Sequence, residues 1–469
     1  MLQVTSELFS PGTDDRPVHF VGIAGAGMSG LAELLARRGI RVTGCDSNPA
    51  AAQADLSELG IQLFTGHSAE HVRGARALVF TSAVGRDHAE LVAAREAGIP
   101  VVRRAEALGA AVAPGAVVGV SGTHGKTTTT VMTTMALRAA GLAPTGIAGG
   151  RVAAWGGNMS FGSDDLFVVE ADEYDRSFLA LDPAVAVVTN VEADHLDIYT
   201  DIEDIRATFE KYISGARAIV LCDDDAGARS LTVPPTAEVI RYGIGSRDAR
   251  LVAKELAPNP LGTDFTVWYD GKNEGRISLR VPGSHNVRNA LAALASGLAL
   301  GARPAAMAAG LEAFTGVERR FERIADVGGI AIIDDYSHHP TEIEAMIQAA
   351  RASYPGRRLV VAFQPHLYSR TRDFATEFGS ALARADAVFL TELYPAREQP
   401  IEGVSSNLVE RAIGAASGNL AWRGERAALA GALSAYVRPG DVVVTVGAGD
   451  ITHSARELRD ALMARGASD

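Results

Sequence analysis

The stretch Val117-Val118-Gly119-Val120-Ser121-Gly122-Thr123-His124-Gly125-Lys126-Thr127-Thr128 constrains this chain more than any other. The apolar run Val117 to Val120 reads as a strand buried in a parallel sheet. A short glycine turn follows, and Thr127 to Ala140 reads as a helix ended by Gly141. Strand, glycine turn, Gly-Lys-Thr and helix make a phosphate-binding loop, because backbone N–H groups and a helix N-terminus together attract a polyphosphate. In that geometry Lys126 reaches the β- and γ-phosphates and the Thr127 hydroxyl ligates Mg²⁺, while Gly122, Thr123, His124, Gly125 and Thr128 complete the cradle. The strict motif has glycine five residues before Gly125, where Val120 stands, so the loop is a variant. Lysine usage supports the reading: of 44 basic residues only four are lysines, and one of those falls at the phosphate-contacting position.

At 469 residues the chain has room for about three domains. A net charge of −12, with no basic run, argues against a nucleic-acid partner, so anionic ligands must be held by local positive sites. Two cysteines, Cys45 and Cys222, are too few for a disulfide framework, which predicts a reducing, cytoplasmic location. Met1 to Arg16 is polar and acidic, unlike a signal peptide, and no apolar run approaches the ~20 residues that span a bilayer, so no membrane partner is expected.

A second glycine loop lies near the start. Val18 to Ile23 reads as a strand, Gly25-Ala26-Gly27-Met28-Ser29-Gly30 matches G-x-G-x-x-G, and a helix runs on to Arg38. The strand Arg41 to Gly44 then leads to Asp46, 21 residues past Gly25. This pattern places a diphosphate on a helix N-terminus and offers Asp46 to a ribose hydroxyl or to solvent. Ala77 to Ser82 and Ile99 to Val102 add two more strands, and Pro114-Gly115 marks a boundary, giving an α/β domain over residues 1–114.

Apolar strands elsewhere end in polar clusters. Leu166 to Val169 leads into Glu170-Ala171-Asp172-Glu173, and Ala184 to Thr189 leads into Asn190-Val191-Glu192-Ala193-Asp194-His195. Ligands of parallel α/β sheets bind beyond strand carboxyl ends, so these clusters are expected to converge on the phosphate loop, with Glu170 and His195 as metal ligands. Asn286 or Asn289, ahead of an alanine-rich helix, faces a purine or caps the helix. From Arg319 a third doubly wound sheet is expected, with Ile333 running into Asp334-Asp335-Tyr336-Ser337-His338-His339 and Phe363 into Gln364-Pro365-His366-Leu367-Tyr368-Ser369-Arg370. Sequential His338 and His339 rarely face one metal ion. His366 and Arg370 suit an anionic group.

These runs, with Arg319-Arg320-Phe321 and His285-Asn286, occur in an order that resembles the Mur ligase family, and within it the alanine-adding branch. The resemblance covers nearly the whole length. It implies an α/β chain of three domains. A Rossmann-like UDP-sugar domain would occupy residues 1–114, and a central ATPase domain of the phosphate-loop type, with a mostly parallel sheet, residues 115–318. A Rossmann-like amino-acid domain would occupy 319–469. The implied activity is ATP-dependent coupling of L-alanine to UDP-N-acetylmuramate through an acyl phosphate, by a monomer or weak homodimer.

The implied roles follow residue by residue. Lys126 would hold the transferring phosphate; Thr127 and Glu170 would ligate one Mg²⁺, and His195 a second, with Mn²⁺ as a substitute. Asn289, or else Asn286, would face adenine, and Arg320 with Asp334 or Asp335 would contact ribose or γ-phosphate. Gly25 to Gly30 would cradle the diphosphate near Asp46, His67 and Ser82. Tyr336, His338, His366 and Arg370 would bind the amino-acid end, with His338 as candidate base for the amine. Relatives often carry arginine where Leu367 stands, which leaves Arg370 or Arg372 to serve. Some relatives carry a carbamylated lysine 15 residues after the histidine corresponding to His195; counting 15 reaches Glu210, not Lys211, so Glu210 is expected to present the equivalent carboxylate or else to lie on the helix surface. A ligase adding a preformed peptide to the same sugar, and a nicotinamide-dependent oxidoreductase using the Gly25 loop, are the alternative readings.

Overall fold

The computed structural model describes residues 6–12, 14–50, 56–81, 84–246, 248–259, 261–396 and 398–466. They form three sheets flanked by helices. The first is wholly parallel and runs Gln62–Thr65, Val42–Asp46, Val18–Val21, Ala77–Phe80, Val101–Arg103. Its middle strands are short and apolar except for His19, as expected where helices cover both faces.

The second sheet has ten strands. Its middle is parallel, in the order Leu251–Asn259, Glu238–Gly243, Ala218–Cys222, Val185–Val188, Ala116–Ser121, Leu166–Glu170, Thr145–Val152, and antiparallel strands extend both edges. The strand Ala116–Ser121 lies between the two that carry the acidic clusters. Val120 pairs with Glu170 and Ser121 with Val188, so the phosphate loop and both clusters leave the same edge side by side. The convergence expected from strand ends is therefore a consequence of strand order.

The third sheet runs Glu322–Val327, Ile330–Asp335, Val442–Val446, Leu359–Phe363, Ala387–Thr391, Leu420–Gly424, and is parallel except at its first strand. Two separate apolar clusters cover its faces, whereas one continuous core joins the first sheet to the second. The third unit meets the second through polar side chains: Arg370 on Asp194, Thr341 on Glu192 and His124 on Glu342. Among the described residues no helix is long and apolar enough to cross a membrane.

Candidate active site

The strand Ala116–Ser121 and the helix Lys126–Ala139 hold the phosphate loop between them. Gly122 has φ +131° and Gly125 φ +82°, and a Cβ on Gly122 would fall 2.0 Å from Thr189 Oγ1, so both positions require glycine. The loop is stitched to the next strand end. His124 N donates to Asn190 Oδ1 at 2.7 Å, Thr189 Oγ1 donates to the His124 carbonyl at 2.7 Å, and Thr123 Oγ1 accepts from Glu192 N at 2.9 Å.

Lys126 Nζ donates to both Glu173 oxygens, at 2.7 and 2.9 Å, and to the Gly122 carbonyl at 2.9 Å. Burial works against the ammonium, but the facing Glu173 carboxylate outweighs it and raises the lysine pKa. Burial, partly offset by Lys126, pushes Glu173 up to about 7. Thr127 Oγ1 donates to Glu170 Oε1 at 3.0 Å, while Gly149 N–H holds the other Glu170 oxygen. His195, strained at φ +53°, brings Nε2 to 3.7 Å from Glu173 and 3.7 Å from Asp194. Burial lowers its pKa, leaving a neutral ring with a lone pair. Lys126, Thr127, Glu170 and His195 are thus brought together, and Glu173 links them. The sequence displayed Glu173 but gave no reason to prefer it over Asp172, because only the packing of the turn decides which carboxylate turns inward. The oxygens of Thr127 and Glu170 fit a hard cation such as Mg²⁺, and His195 with Glu173 offers a second N/O pair.

Beside the loop lies a cavity of ≈170 Å³ whose lining includes Gly125, His285, Asn289, Arg320, Asp335 and Met346, contributed by the second and third units. Asn286 Nδ2 donates to the Pro282 carbonyl at 2.7 Å, and Asn289 Nδ2 donates to Asn286 Oδ1 at 3.2 Å. Asn289 Oδ1 faces Gly125, so Asn289 is the member of the pair turned to the loop. Thr128 and His124 line the same cavity. His124 lies between Glu342 (3.2 Å) and Glu192 (3.4 Å); burial opposes its charge, but the two glutamates raise its pKa to about 10, making it a cation at neutral pH. Arg320 pairs with Glu342 at 3.3 Å, and the Arg319 and Arg320 guanidiniums both lie over the Tyr336 ring.

Several expectations need correction. Asp334 is fully buried and accepts from Thr445 and Thr452 hydroxyls at 2.6 Å each, so it ties sheet to helix and faces no nucleotide. Asp335 borders the cavity but holds the Phe321 and Ser337 backbone N–H groups at 2.7 and 2.9 Å. Arg370 has its guanidinium bidentate on Asp194 at 2.9 and 3.1 Å, both side chains buried, so the fork reserved for substrate is taken by protein. Arg372 pairs with its neighbour Asp373 at the surface, and Leu367 is buried at φ +70°. His338 is neutral: burial pushes its pKa down to about 3, and Nδ1 lies 3.0 Å from the Tyr336 carbonyl. Burial thus works against His338 as the amine base, while its ring stands beside His366. His366 stacks on Tyr394. Glu210 accepts from Thr232 N at 2.8 Å on the helix face that also carries Arg206 to the Ser230 carbonyl, away from Asp204 and Thr208, which hold Arg176. The carboxylate is spent on a loop, not on the cluster around Lys126, Glu170 and His195.

The Gly25 loop is a different kind of place. Ala26 starts its helix, Met28 is core, and Ser29 Oγ accepts from Asn158 of the second unit at 3.2 Å. Gly30 also approaches Asn158, and a Cβ on Gly27 would sit 2.9 Å from the Arg104 guanidinium, a cation that sequence reading overlooked. Asp46 accepts from Ala24 N at 3.1 Å and Asn48 N at 2.9 Å, so it braces the loop. His67 turns Nδ1 to Cys45 Sγ at 3.2 Å. Ser82 lies outside the described residues.

Three family descriptions match in chain order: "Mur ligase family, catalytic domain" over residues 17–114, "Mur ligase middle domain" over 120–297 and "Mur ligase, glutamate ligase domain" over 319–449. A UDP-N-acetylmuramate–L-alanine ligase of Salinibacter ruber is 45% identical over 441 residues, covering 93% of each chain. One from Streptomyces avermitilis is 43% identical over 459 residues, covering 96% of this chain and 98% of its own. The crystal structure of a UDP-N-acetylmuramate–alanine ligase from Thermotoga maritima superposes with a TM-score of 0.80 at 29% identity, over 96% of this chain and 99% of its own. With three domains matched in order and such relatives spanning nearly its full length, the chain belongs to the Mur ligase family.

Proposed function

We propose that this chain joins L-alanine to the carboxylate of UDP-N-acetylmuramate at the cost of ATP. The observation that carries the reading is Lys126 at the phosphate loop, held 2.7 Å from Glu173 and next to the Thr127–Glu170 pair, at the rim of a cavity shared by two units. Two anionic reactants must meet there, and fixed positive charge in a dry site is what lowers that barrier. Lys126 would exchange part of its pairing with Glu173 for the γ-phosphate. Thr127 and Glu170 would hold one Mg²⁺, and His195 with Glu173 a second; the ions would neutralise charge developing on the phosphoryl and acyl oxygens. His124 is paired with Glu192 and Glu342, and those glutamates hold it cationic beside the loop. Asn289 and Arg320 would border the adenosine. Residues 1–114 would bind the UDP-sugar through the Gly25–Gly30 loop, 115–318 the nucleotide, and 319–469 the amino acid near Tyr336, His338 and His366. Relatives at 43–45% identity bear the alanine-ligase name, which favours free alanine over a preformed peptide.

Phosphate release from ATP tests this directly, with UDP-N-acetylmuramate, Mg²⁺ and L-alanine each omitted in turn. Release should require all of them. Release that needs a tripeptide in place of alanine would move the chain to peptide recycling, and release indifferent to the sugar nucleotide would remove the reading.

A further inference from the structure

The first unit holds a cluster that the reaction does not use. His19 lies on the central strand and Cys45 on its neighbour; the register pairs Val21 with Cys45, which puts His19 and Cys45 on one face of the sheet. The turn Ala69–Val72 brings His71 over that face, and the helix Ala89–Glu96 brings Glu90. The surroundings are the apolar core of Val21, Val72, Leu78, Leu91 and Ala94. Within it Glu90 is wholly buried, 3.1 Å from His19 Nε2, 3.1 Å from His71 Nδ1 and 3.1 Å from Cys45 Sγ. One donor atom from each of His19, Cys45, His71 and Glu90 lies within 4.8 Å of all the others.

A carboxylate in an apolar core costs several kcal/mol unless charge compensates it. Among the described residues, the ion-pair partners of Glu90 are the three histidines His19, His67 and His71, with no lysine or arginine. We infer that His19, Cys45, His71 and Glu90 form a binding site for a thiophilic divalent cation, Zn²⁺ before others. Tetrahedral zinc with bonds of about 2.0–2.3 Å places its donors roughly 3.3–3.8 Å apart; here Glu90 stands 3.1 Å from each of the other three donors, and all four fall within 4.8 Å of one another. One thiolate and one carboxylate would balance the dication, and two neutral imidazoles would complete the four. Binding displaces the Cys45 thiol proton to solvent. A sulfur, two nitrogens and one oxygen suit Zn²⁺ or Co²⁺ and not Mg²⁺ or Ca²⁺. The supporting contacts fit: Thr43 Oγ1, 2.8 Å from His19 Nδ1, can accept that nitrogen's proton and turn Nε2 to the metal, while Phe64 stacks on His71 and fixes its ring. His71 is partly exposed, which provides the way in. The Cys45 carbonyl accepts from Gly22 N and Ile23 N, so the site would anchor the base of the Gly25 loop.

Titrating the full-length chain with Co²⁺ in excess Mg²⁺ tests the site. The expected result is thiolate-to-metal charge-transfer absorption that saturates at one Co²⁺ per chain and is abolished by Zn²⁺, which binds tighter. Cys45→Ser should lose the band, Cys222→Ser should keep it, and His71→Ala should weaken binding by about tenfold or more. No thiolate band in the wild type, or a band that survives Cys45→Ser, would overturn the site. Should Cys45→Ser fail to fold, by circular dichroism, the partly exposed His71 decides: unchanged Co²⁺ affinity in His71→Ala refutes the assignment.

Discussion

The chain contains two strand–glycine–helix joints that look alike in sequence and differ in everything around them. At Gly122–Thr127 a lysine is buried among Glu173, Asp172 and Glu170, a strained histidine reaches in, and a third unit closes over the rim. At Gly25–Gly30 no lysine is present, the helix starts behind a glycine with φ −63°, and Asp46 spends both oxygens on backbone N–H groups. The first joint has the charges that chemistry on a phosphate needs, and the second has a helix N-terminus braced for binding. The two joints thus share their strand–glycine–helix order, while the neighbouring strand ends give only one of them a buried lysine among carboxylates.

The comparison is broken most directly at Lys126. Lys126→Ala should lower ATP turnover on the order of a thousandfold, the cost of one strong electrostatic contact in a dry site, and phosphate release measures it. A variant that keeps half its activity would make the two loops equivalent. Next comes the buried Arg370–Asp194 pair, which holds the third unit over the central loop. Either Asp194→Asn or Arg370→Met should lose about 3–5 kcal/mol in urea unfolding, because each leaves a buried group without its partner. The double variant should recover much of that loss; additive losses would mean that the pair does not act as a unit. Burial opposes ionisation of Asp194, but Arg370 more than offsets it and holds the carboxyl well below the usual range. The stabilisation is thus fully present above pH ~4 and fades only as pH falls through the depressed value.

Glu173→Gln should cost about 10–100-fold in kcat/KM for ATP, as for the loss of a group that orients a metal and a lysine. With its carboxyl pushed up to about 7, wild-type kcat/KM should fall as pH drops below that value, and the glutamine variant should lose that limb. An unchanged limb would place the titration elsewhere. A smaller effect is expected at the first loop: Asp46→Asn removes charge-assisted bonds to Ala24 and Asn48, so the KM for the sugar nucleotide should rise by the equivalent of about 1–3 kcal/mol while kcat holds. A fall in kcat instead would give the Gly25 loop a part in the chemistry. The smallest effect belongs to Glu210→Gln, expected within ~0.5 kcal/mol in stability and without change in turnover. Loss of most activity there would restore the carboxylate role that its hydrogen bond to Thr232 denies it.

Much of the site was legible because strand ends carry it. Lys126, Thr127, Glu170 and His195 each follow an apolar run, and parallel pairing puts adjacent carboxyl ends on one edge. What failed has a common cause. Arg370 reads as a substrate cation until Asp194, 176 residues away, takes its fork. Asp334 and Asp335 are identical neighbours in sequence, yet alternation along the strand turns one toward Thr445 and leaves the other at the cavity. Glu210 fell to the rotation of a helix, which no residue count resolves. His338 has the right chemistry for a base, and its burial, which no residue count shows, works against that role.

Local sequence determined the elements themselves: apolar runs between glycines make parallel strands, and the Gly122–Lys126 turn makes a phosphate cradle because backbone geometry at glycine is a short-range property. Order in the sheet, the pairing of Lys126 with Glu173 rather than Asp172, the capture of Arg370 by Asp194 and the assembly of His19, Cys45, His71 and Glu90 were decided by the tertiary structure alone. Charge interactions act through space, and a buried charge takes whichever partner packing brings within reach, however far apart the two stand along the chain.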